Sequence, residues 1–518
     1  MPCFEYIFYR RNSYIRQVKY RSNKTKNNLL NKKKIIIIGG GTAGLSTGIY
    51  GQLNGFETRI FEMHKVPGGQ CTAWDRNGYR FDYCLHWLIG TRFSAFNEVW
   101  KETHVITDEV KIVDNEIHSM VCDSKWGEFI IYSNVDQWQD YLIGLAPEDE
   151  KGIRKMCGHM RDAAVFEPMY QPPAFRSFMD YFKVFLKNPV LLLRLRHFSG
   201  ISARSYFESL KLKNPRLTYF LNKIFGEIDF SALVVIMMLG WFHIKNAGYL
   251  IGGSFALAMR MANRYRSLGG ELSLGMKVEK ILVENDRAVG IRLSDGTEYK
   301  ADYIISAADG HATLFDMLGG KYITPELRKA YAEWEIYNPF VQVALGVNDT
   351  LLSKAVSTTY YKENITIGGF AVKYGYSIMN QSKNDPTLAP QGKTSLVLRF
   401  DTAWENWENI HPDDYARYKE RIKTDALELL ESHFPGIGEK TEVVDVATPL
   451  TNVRYTGTWK GAYEGFMPTG NMIKKTLNNT LPGLKSFYLV GQWMFPGGGI
   501  PPAAQSGKWA IQEISKAK

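Results

Sequence analysis

Gly39, Gly41 and Gly44 form G-x-G-x-x-G directly after four isoleucines, Ile35 to Ile38, and directly before Leu45, Ile49 and Leu53 at helical spacing. Glycines so spaced allow a tight turn, let a pyrophosphate approach the backbone and let a helix pack closely on a strand. Ala43 sits inside the same turn. A second strand, Thr58 to Phe61, ends on Glu62, about twenty residues beyond the glycines, where a carboxylate accepts from a ribose hydroxyl. Strand, glycines, helix, second strand and terminal acid in this order predict a bound dinucleotide rather than a simple chain reversal. The isoleucine run is β-branched and uncharged, as a parallel strand covered on both faces requires, and Gly55 marks the end of the helix.

Pro67-Gly68-Gly69-Gln70, then Gly78-Tyr79-Arg80-Phe81-Asp82, then His86-Trp87 follow the acid. With these segments in this order the sequence resembles flavoproteins of the phytoene desaturase, carotenoid isomerase and retinol saturase type, within the amine-oxidase-like superfamily. The resemblance implies FAD rather than NAD. It also implies an α/β fold: a Rossmann-like FAD-binding domain of the glutathione-reductase and amine-oxidase type, interleaved with a mixed α+β substrate domain.

Two later segments carry the same likeness. Gly252-Gly253-Ser254 leads into a helix with Ala258, Met261, Ala262 and Tyr265 at helical spacing, with Ser254 expected as its cap. Strands Val278 to Val283, Val289 to Leu293 and Tyr303 to Ser306 follow, separated by the turn signals Asn285-Asp286 and Asp295-Gly296. By resemblance, the backbone at Val278 passes the adenine. Near the C-terminus, Phe487 to Val490 reads as a buried strand ended by Gly491, and Pro496 to Pro501 leads into a helix from about Pro502 to Ile514. Three successive glycines, Gly497 to Gly499, let backbone touch a flat ring, and the helix start beside Ile500 turns free N–H groups toward it. The expected cofactor contacts are therefore Gly39, Gly41, Ala43, Gly44, Glu62, Gly68, Gly69, Gln70, Val278, Gly491, Gly498, Gly499 and Ile500. His86 is the expected catalytic residue, because its segment matches the one that turns toward the flavin in the family and an imidazole can exchange a proton with carbon.

The chain divides accordingly. Residues 34–93, 247–312 and 445–518 are expected to form the FAD-binding domain, and 94–246 with 313–444 the substrate domain, including an apolar helical region over 147–245. Two stretches of that region are strongly apolar, Phe175 to Phe198 and Phe230 to Phe242. Neither is long and uninterrupted enough to span a bilayer. The first mixes bases with large apolar residues, which suits either a bilayer surface or a buried helix pair with snorkelling charges.

Residues 1 to 34 hold ten of the 63 basic side chains and one of the 53 acids, so the formal charge of +10 sits almost wholly there. The rest is nearly neutral, which excludes a nucleic-acid-binding surface on the folded body. The tail, residues 1–33, is expected to be disordered and dispensable; it has no secretory apolar core and is only loosely like an organelle transit peptide. Five cysteines, an odd number without metal-ligand spacing, point to a reducing cytoplasm, and His311, His411 and His433 lack a paired spacing, so no metal is expected. Cys71 reads as a small buried hydrophobe.

No second G-x-G-x-x-G follows a strand, so a dedicated NAD(P)H domain is absent from the reading and the electron partner stays open. No Arg or acid anchor stands in a recognisable motif, which favours a hydrophobic substrate held by shape. The resemblance thus implies an FAD-dependent oxidoreductase acting on carbon–carbon bonds of a lipophilic polyene or isoprenoid, by desaturation, saturation or isomerisation. A flavin amine oxidase on the same fold is the alternative. A prenyl-binding escort protein resembling GDP dissociation inhibitors is the non-enzymatic one, disfavoured by the full glycine set with Glu62.

Overall fold

The computed structural model describes residues 32–166, 171–187, 189–225 and 229–516. The expected tail lies outside them except for Lys32 and Lys33. Five strands form one parallel sheet: β1 (Lys34–Ile38), β2 (Glu57–Glu62), β3 (Glu271–Leu274), β4 (Tyr303–Ser306) and β5 (Phe487–Leu489), in the order β3-β2-β1-β4-β5. They come from three distant stretches of chain. β1 takes the centre because Ile35 to Ile38 have no polar face to turn to water; all four are buried. Helix α1 (Thr42–Leu53) packs against both α2 (Gly253–Ser267) and α3 (Ile500–Lys516). Leu45 and Ile49 of α1 share one core with Met261 and Tyr265 of α2 and Ile511 and Ile514 of α3. Helix α3 begins at Ile500 rather than Pro502, because Pro501 and Pro502 sit in the first turn, where no N–H is required.

Ser254 does not cap α2. Its N–H and hydroxyl both donate to Asp82, at 2.6 and 2.5 Å, and Asp82 also accepts from the N–H groups of Cys84 and Leu85, at 3.1 Å each. The cap is therefore the carboxylate that ends the Gly78-to-Asp82 segment, 172 residues earlier. This ties the first stretch of chain to the second.

A seven-stranded sheet forms the other half, ordered Thr441–Ala447, Phe340–Val347, Thr394–Asp401, Tyr376–Asn380, Ser357–Tyr361, Ile117–Asp123 and Gly127–Tyr132. Its pairs are antiparallel apart from Ser357–Tyr361 with Ile117–Asp123. Alternation divides the Thr394–Asp401 strand between two faces. Leu396, Leu398 and Phe400 share a core with Ile422 and Leu430 of the helix Pro412–Glu431, while Val397 packs with Tyr79 and Phe81. Arg399 and Asp401 share the Val397 face, which is turned toward the first stretch of chain.

The two apolar stretches part company. Phe230 to Phe242 becomes the helix Ala232–His243, apolar all round and packed on the helix Glu150–Ala164, so closely that a Cβ on Gly240 would lie 2.5 Å from the Met160 carbonyl oxygen. The other becomes a pair of helices, Phe178–Lys187 and Pro189–Phe198, that leave Phe178, Leu186, Val190 and Leu193 between 57% and 80% exposed. The second of these helices is packed on its other side through Leu191, Leu195 and Phe198, so the pair is half-buried rather than wholly buried or wholly exposed. Among the described residues no helix is long and apolar enough to cross a membrane.

Candidate active site

A cavity of about 640 Å³ opens at the C-terminal ends of β1, β2 and β4. Gly39, Gly41, Ala43, Glu62, Gly68, Gly69, Gln70, His86, Val278, Gly491, Gly499 and Ile500 line it. Gly44 and Gly498 do not, and both are required by packing instead. A Cβ on Gly44 would lie 1.9 Å from the Gly39 carbonyl oxygen, and one on Gly498 2.3 Å from that of Glu464. Gly41 differs from both. It precedes α1 with φ −70° and no side-chain cap, and a Cβ there would meet protein no closer than 3.7 Å. The fold tolerates a side chain at Gly41; the cavity does not. A backbone-lined cradle with uncapped N–H groups at its floor fits a pyrophosphate.

Glu62 is 5% exposed, and its two oxygens accept from the N–H groups of Gly40 (2.6 Å) and His64 (2.7 Å). Burial raises its pKa and these bonds oppose the rise. Each oxygen keeps a lone pair for a ligand at the cavity wall. The Gly68 N–H donates to the Gly40 carbonyl at 2.9 Å, and Gln70 donates through Nε2 to the Ala462 carbonyl at 3.1 Å. The Pro-Gly-Gly segment is thus fastened to the glycine turn on one side and to the C-terminal stretch on the other.

A second cavity, of about 1050 Å³, adjoins the first, and His86, Arg399 and Tyr463 line both. Its wall mixes apolar groups such as Trp87, Phe242 and Met379 with polar ones such as His118 and Gln381. Arg399 is held at the junction through both terminal nitrogens, while its buried Nε has no partner among the described residues. Its Nη2 donates to the Tyr83 carbonyl and to Oε1 of Gln342, both at 2.6 Å, its Nη1 donates to Nε2 of His86 at 3.2 Å, and its plane lies 4.0 Å from the centre of the Phe340 ring. Gln342 is its cross-strand partner and is held in turn by donating to the Asp82 carbonyl at 3.0 Å. Arg399 and Asp401 both line the larger cavity, charged groups that no motif in the sequence marks.

His86 lines both cavities at their junction. Its Nε2 is taken up by accepting from Arg399, so the ring carries its proton on Nδ1. Burial first, then the guanidinium and His118, push its pKa down to about 3. The imidazole is neutral, and the nitrogen expected to take a proton faces a fixed positive charge. Sequence reasoning missed Arg399, Tyr463 and Asp401. The available signal was an Arg and an Asp two apart at the end of a strand otherwise free of charge, Thr394–Asp401.

The parallel sheet, the glycine turn and the crossing helices define a dinucleotide-binding fold of flavoprotein type. The model of the flavin-containing amine oxidoreductases matches residues 42–515, and the chain belongs to that family. It is a flavoprotein oxidoreductase with FAD as its cofactor, not an escort protein. Among curated relatives, chloroplastic prolycopene isomerase of Arabidopsis thaliana is 25% identical, over 93% of this chain and 82% of that protein. A neurosporene-forming phytoene desaturase of Cereibacter sphaeroides is 24% identical, over 90% and 92%. Among solved structures, an oxidoreductase from Methanosarcina mazei superposes with a TM-score of 0.59 at 18% identity, covering 93% of this chain and 100% of that one. Putrescine oxidase bound to putrescine gives 0.59 at 14% identity, covering 94% and 100%. These structural likenesses speak for the fold.

Proposed function

We propose that this protein acts on the carbon–carbon bonds of a lipophilic polyene or isoprenoid, by desaturation, saturation or isomerisation. The observation that carries the reading is the meeting of the two cavities at His86, Arg399 and Tyr463, which sets a long, partly apolar chamber beside the cofactor cradle. Relatives that match nearly the whole chain are named for prolycopene isomerisation and phytoene desaturation. In this reading residues 34–93, 247–312 and 445–518 hold the cofactor, and 94–246 with 313–444 shape the chamber. Gly39, Gly41, Gly68 and Gly69 hold the pyrophosphate by backbone, Glu62 accepts from a ribose hydroxyl, Val278 lies along the adenine, and Gly491, Gly499 and Ile500 border the ring. FAD, when bound, supplies two-electron redox chemistry. Arg399 fixes positive charge at the junction, and neutral His86 presents Nδ1–H beside it.

We infer as well that the helices Phe178–Lys187 and Pro189–Phe198 rest on a membrane surface. Their exposed Phe178, Leu186, Val190 and Leu193 suit the acyl boundary and exposed Arg196 the headgroups, and a surface of this kind would hand over a lipophilic substrate. The function is tested by incubating the FAD-loaded protein, oxidised and reduced, with prolycopene, phytoene, retinoids and unsaturated fatty acids, and separating the products by chromatography. A changed polyene with no peroxide from an amine panel is the expected result. Peroxide from amines with every polyene returned intact would move the assignment to amine oxidation.

A further inference from the structure

A carbon–carbon single bond that becomes a double bond loses two electrons and two protons. Both electrons and one proton leave to the oxidised flavin; the second proton needs an acceptor belonging to the protein. His86 is poorly placed for this, since its Nε2 already accepts from Arg399.

We propose that Asp401 is the group that exchanges this proton with the substrate, with the charge of Arg399, two residues away on the same face, acting on it. The proposal rests on the functional reading above. Arg399 and Asp401 are two apart on the strand Thr394–Asp401, hence on one face, and both line the larger cavity. Among the described residues nothing donates a hydrogen bond to the Asp401 carboxylate and no base forms an ion pair with it. Two other buried carboxylates near the flavin cavity differ in this respect. Asp309 accepts from the N–H groups of Ala312 and Trp459, both at 2.9 Å, and the Glu464 side chain is bonded to Tyr337. Asp114, on the same cavity, leaves one oxygen unpaired but its other is held by Arg92, whereas both oxygens of Asp401 are unpaired among the described residues, beside the junction residue Arg399.

Its environment also sets its proton affinity for the task. Burial pushes the pKa of Asp401 up to about 6, with Arg399 pulling the other way. The ionisable groups around it are Arg399 on its own strand, Tyr463 from the C-terminal stretch and Tyr361 from the strand Ser357–Tyr361. The two phenols are themselves raised by burial and stay neutral, so Arg399 is the one charge that acts on Asp401. In desaturation the carboxylate must be ionised, and the rate rises as pH climbs through about 6. In saturation it must be protonated, and the rate falls over the same range.

The test compares the FAD-loaded wild type with Asp401→Asn and Asp401→Glu. Infrared difference spectra across a pH titration should show a protonated carboxyl band that fades near pH 6, a range to which burial also pushes Asp309, and Asp401→Asn should lose one carboxyl's share of it. Anaerobic single turnovers with phytoene and prolycopene, from about pH 5 to about pH 8, should slow by about 10²-fold or more in Asp401→Asn and lose their pH dependence. FAD content and melting temperature should not change, and Asp401→Glu should recover part of the rate. Asp401→Asn turning over like the wild type with the same pH profile overturns the proposal and leaves the functional reading intact. A lost share that titrates in the ordinary carboxylate range overturns it as well. A wild type that holds FAD, shows the band and ignores every polyene overturns the functional reading, and the proposal with it.

Discussion

The smaller cavity includes a cradle of bare backbone, at Gly39, Gly41, Gly68, Gly69, Gly491 and Gly499, whereas the larger has no such run of glycines and is lined mostly by side chains. The difference is chemical. A pyrophosphate is held by N–H groups that every residue owns, so the site needs only the absence of side chains at fixed places. A particular substrate is distinguished by side chains, and their convergence depends on strand register and sheet orientation. The first kind of site repeats along the chain as spaced glycines; the second leaves no repeated mark.

This contrast makes substitutions on the two sides fail differently. The largest effect is expected inside the glycine motif itself. Gly44→Val should prevent folding, because even a Cβ would sit 1.9 Å from a carbonyl oxygen, while Gly41→Val should fold and lose FAD, its side chain having only the cavity to enter. Flavin absorbance and circular dichroism on the two purified variants check this. Equal flavin content in Gly41→Val and the wild type would dissolve the distinction.

Next in size is Asp82→Ala. Three donors lose their acceptor at once, the N–H and hydroxyl of Ser254 and the N–H of Cys84, while the Leu85 N–H keeps Oγ of Ser254 at 2.8 Å. A loss of at least about 3 kcal/mol is expected in denaturant unfolding, from orphaned donors that each cost about 1–3 kcal/mol. Glu62→Ala should follow, weakening FAD by about 1.5–3 kcal/mol, the range of a hydrogen bond to a charged group, measurable by titrating the apoprotein. Unchanged affinity would take Glu62 out of the site.

The smallest effect on stability belongs to the substrate side. Phe178→Ser with Leu186→Ser should shift unfolding by no more than about 0.5 kcal/mol, since exposed residues contribute little, yet should abolish sedimentation with anionic lipid vesicles. Full vesicle binding by the double variant would remove these helices as the contact surface.

The same contrast explains what the sequence made readable. Ile35 to Ile38, the glycine spacing and Glu62 gave the central strand, its turn and its terminal acid within a few residues of their observed limits, because each is a local device. Asp82 was visible as part of a motif, but its role as the cap of α2 was not, because the helix it serves lies 172 residues away. The two apolar stretches differed in composition, since Phe175 to Phe198 carries charged residues and Phe230 to Phe242 carries none, but their packing was not readable from that difference. One is a core helix and the other a pair exposed on one side because of what each packs against, such as the Glu150–Ala164 helix beneath Gly240. Arg399 reached the junction through its pairing with Gln342 and the face it shares with Val397, neither of which spacing along the chain encodes.

The central claim is that a polyene in the larger cavity exchanges electrons with FAD in the smaller one across the junction at His86, Arg399 and Tyr463. Anaerobic stopped-flow on the flavin's visible absorbance tests it most directly, with carotenoid, retinoid and unsaturated fatty-acid panels set against amines. At least one polyene is expected to bleach oxidised flavin or re-oxidise reduced flavin, and His86→Ala to slow this step at unchanged FAD content. Rapid bleaching by amines with silence toward every lipid, in a protein that carries its full complement of FAD, would contradict it.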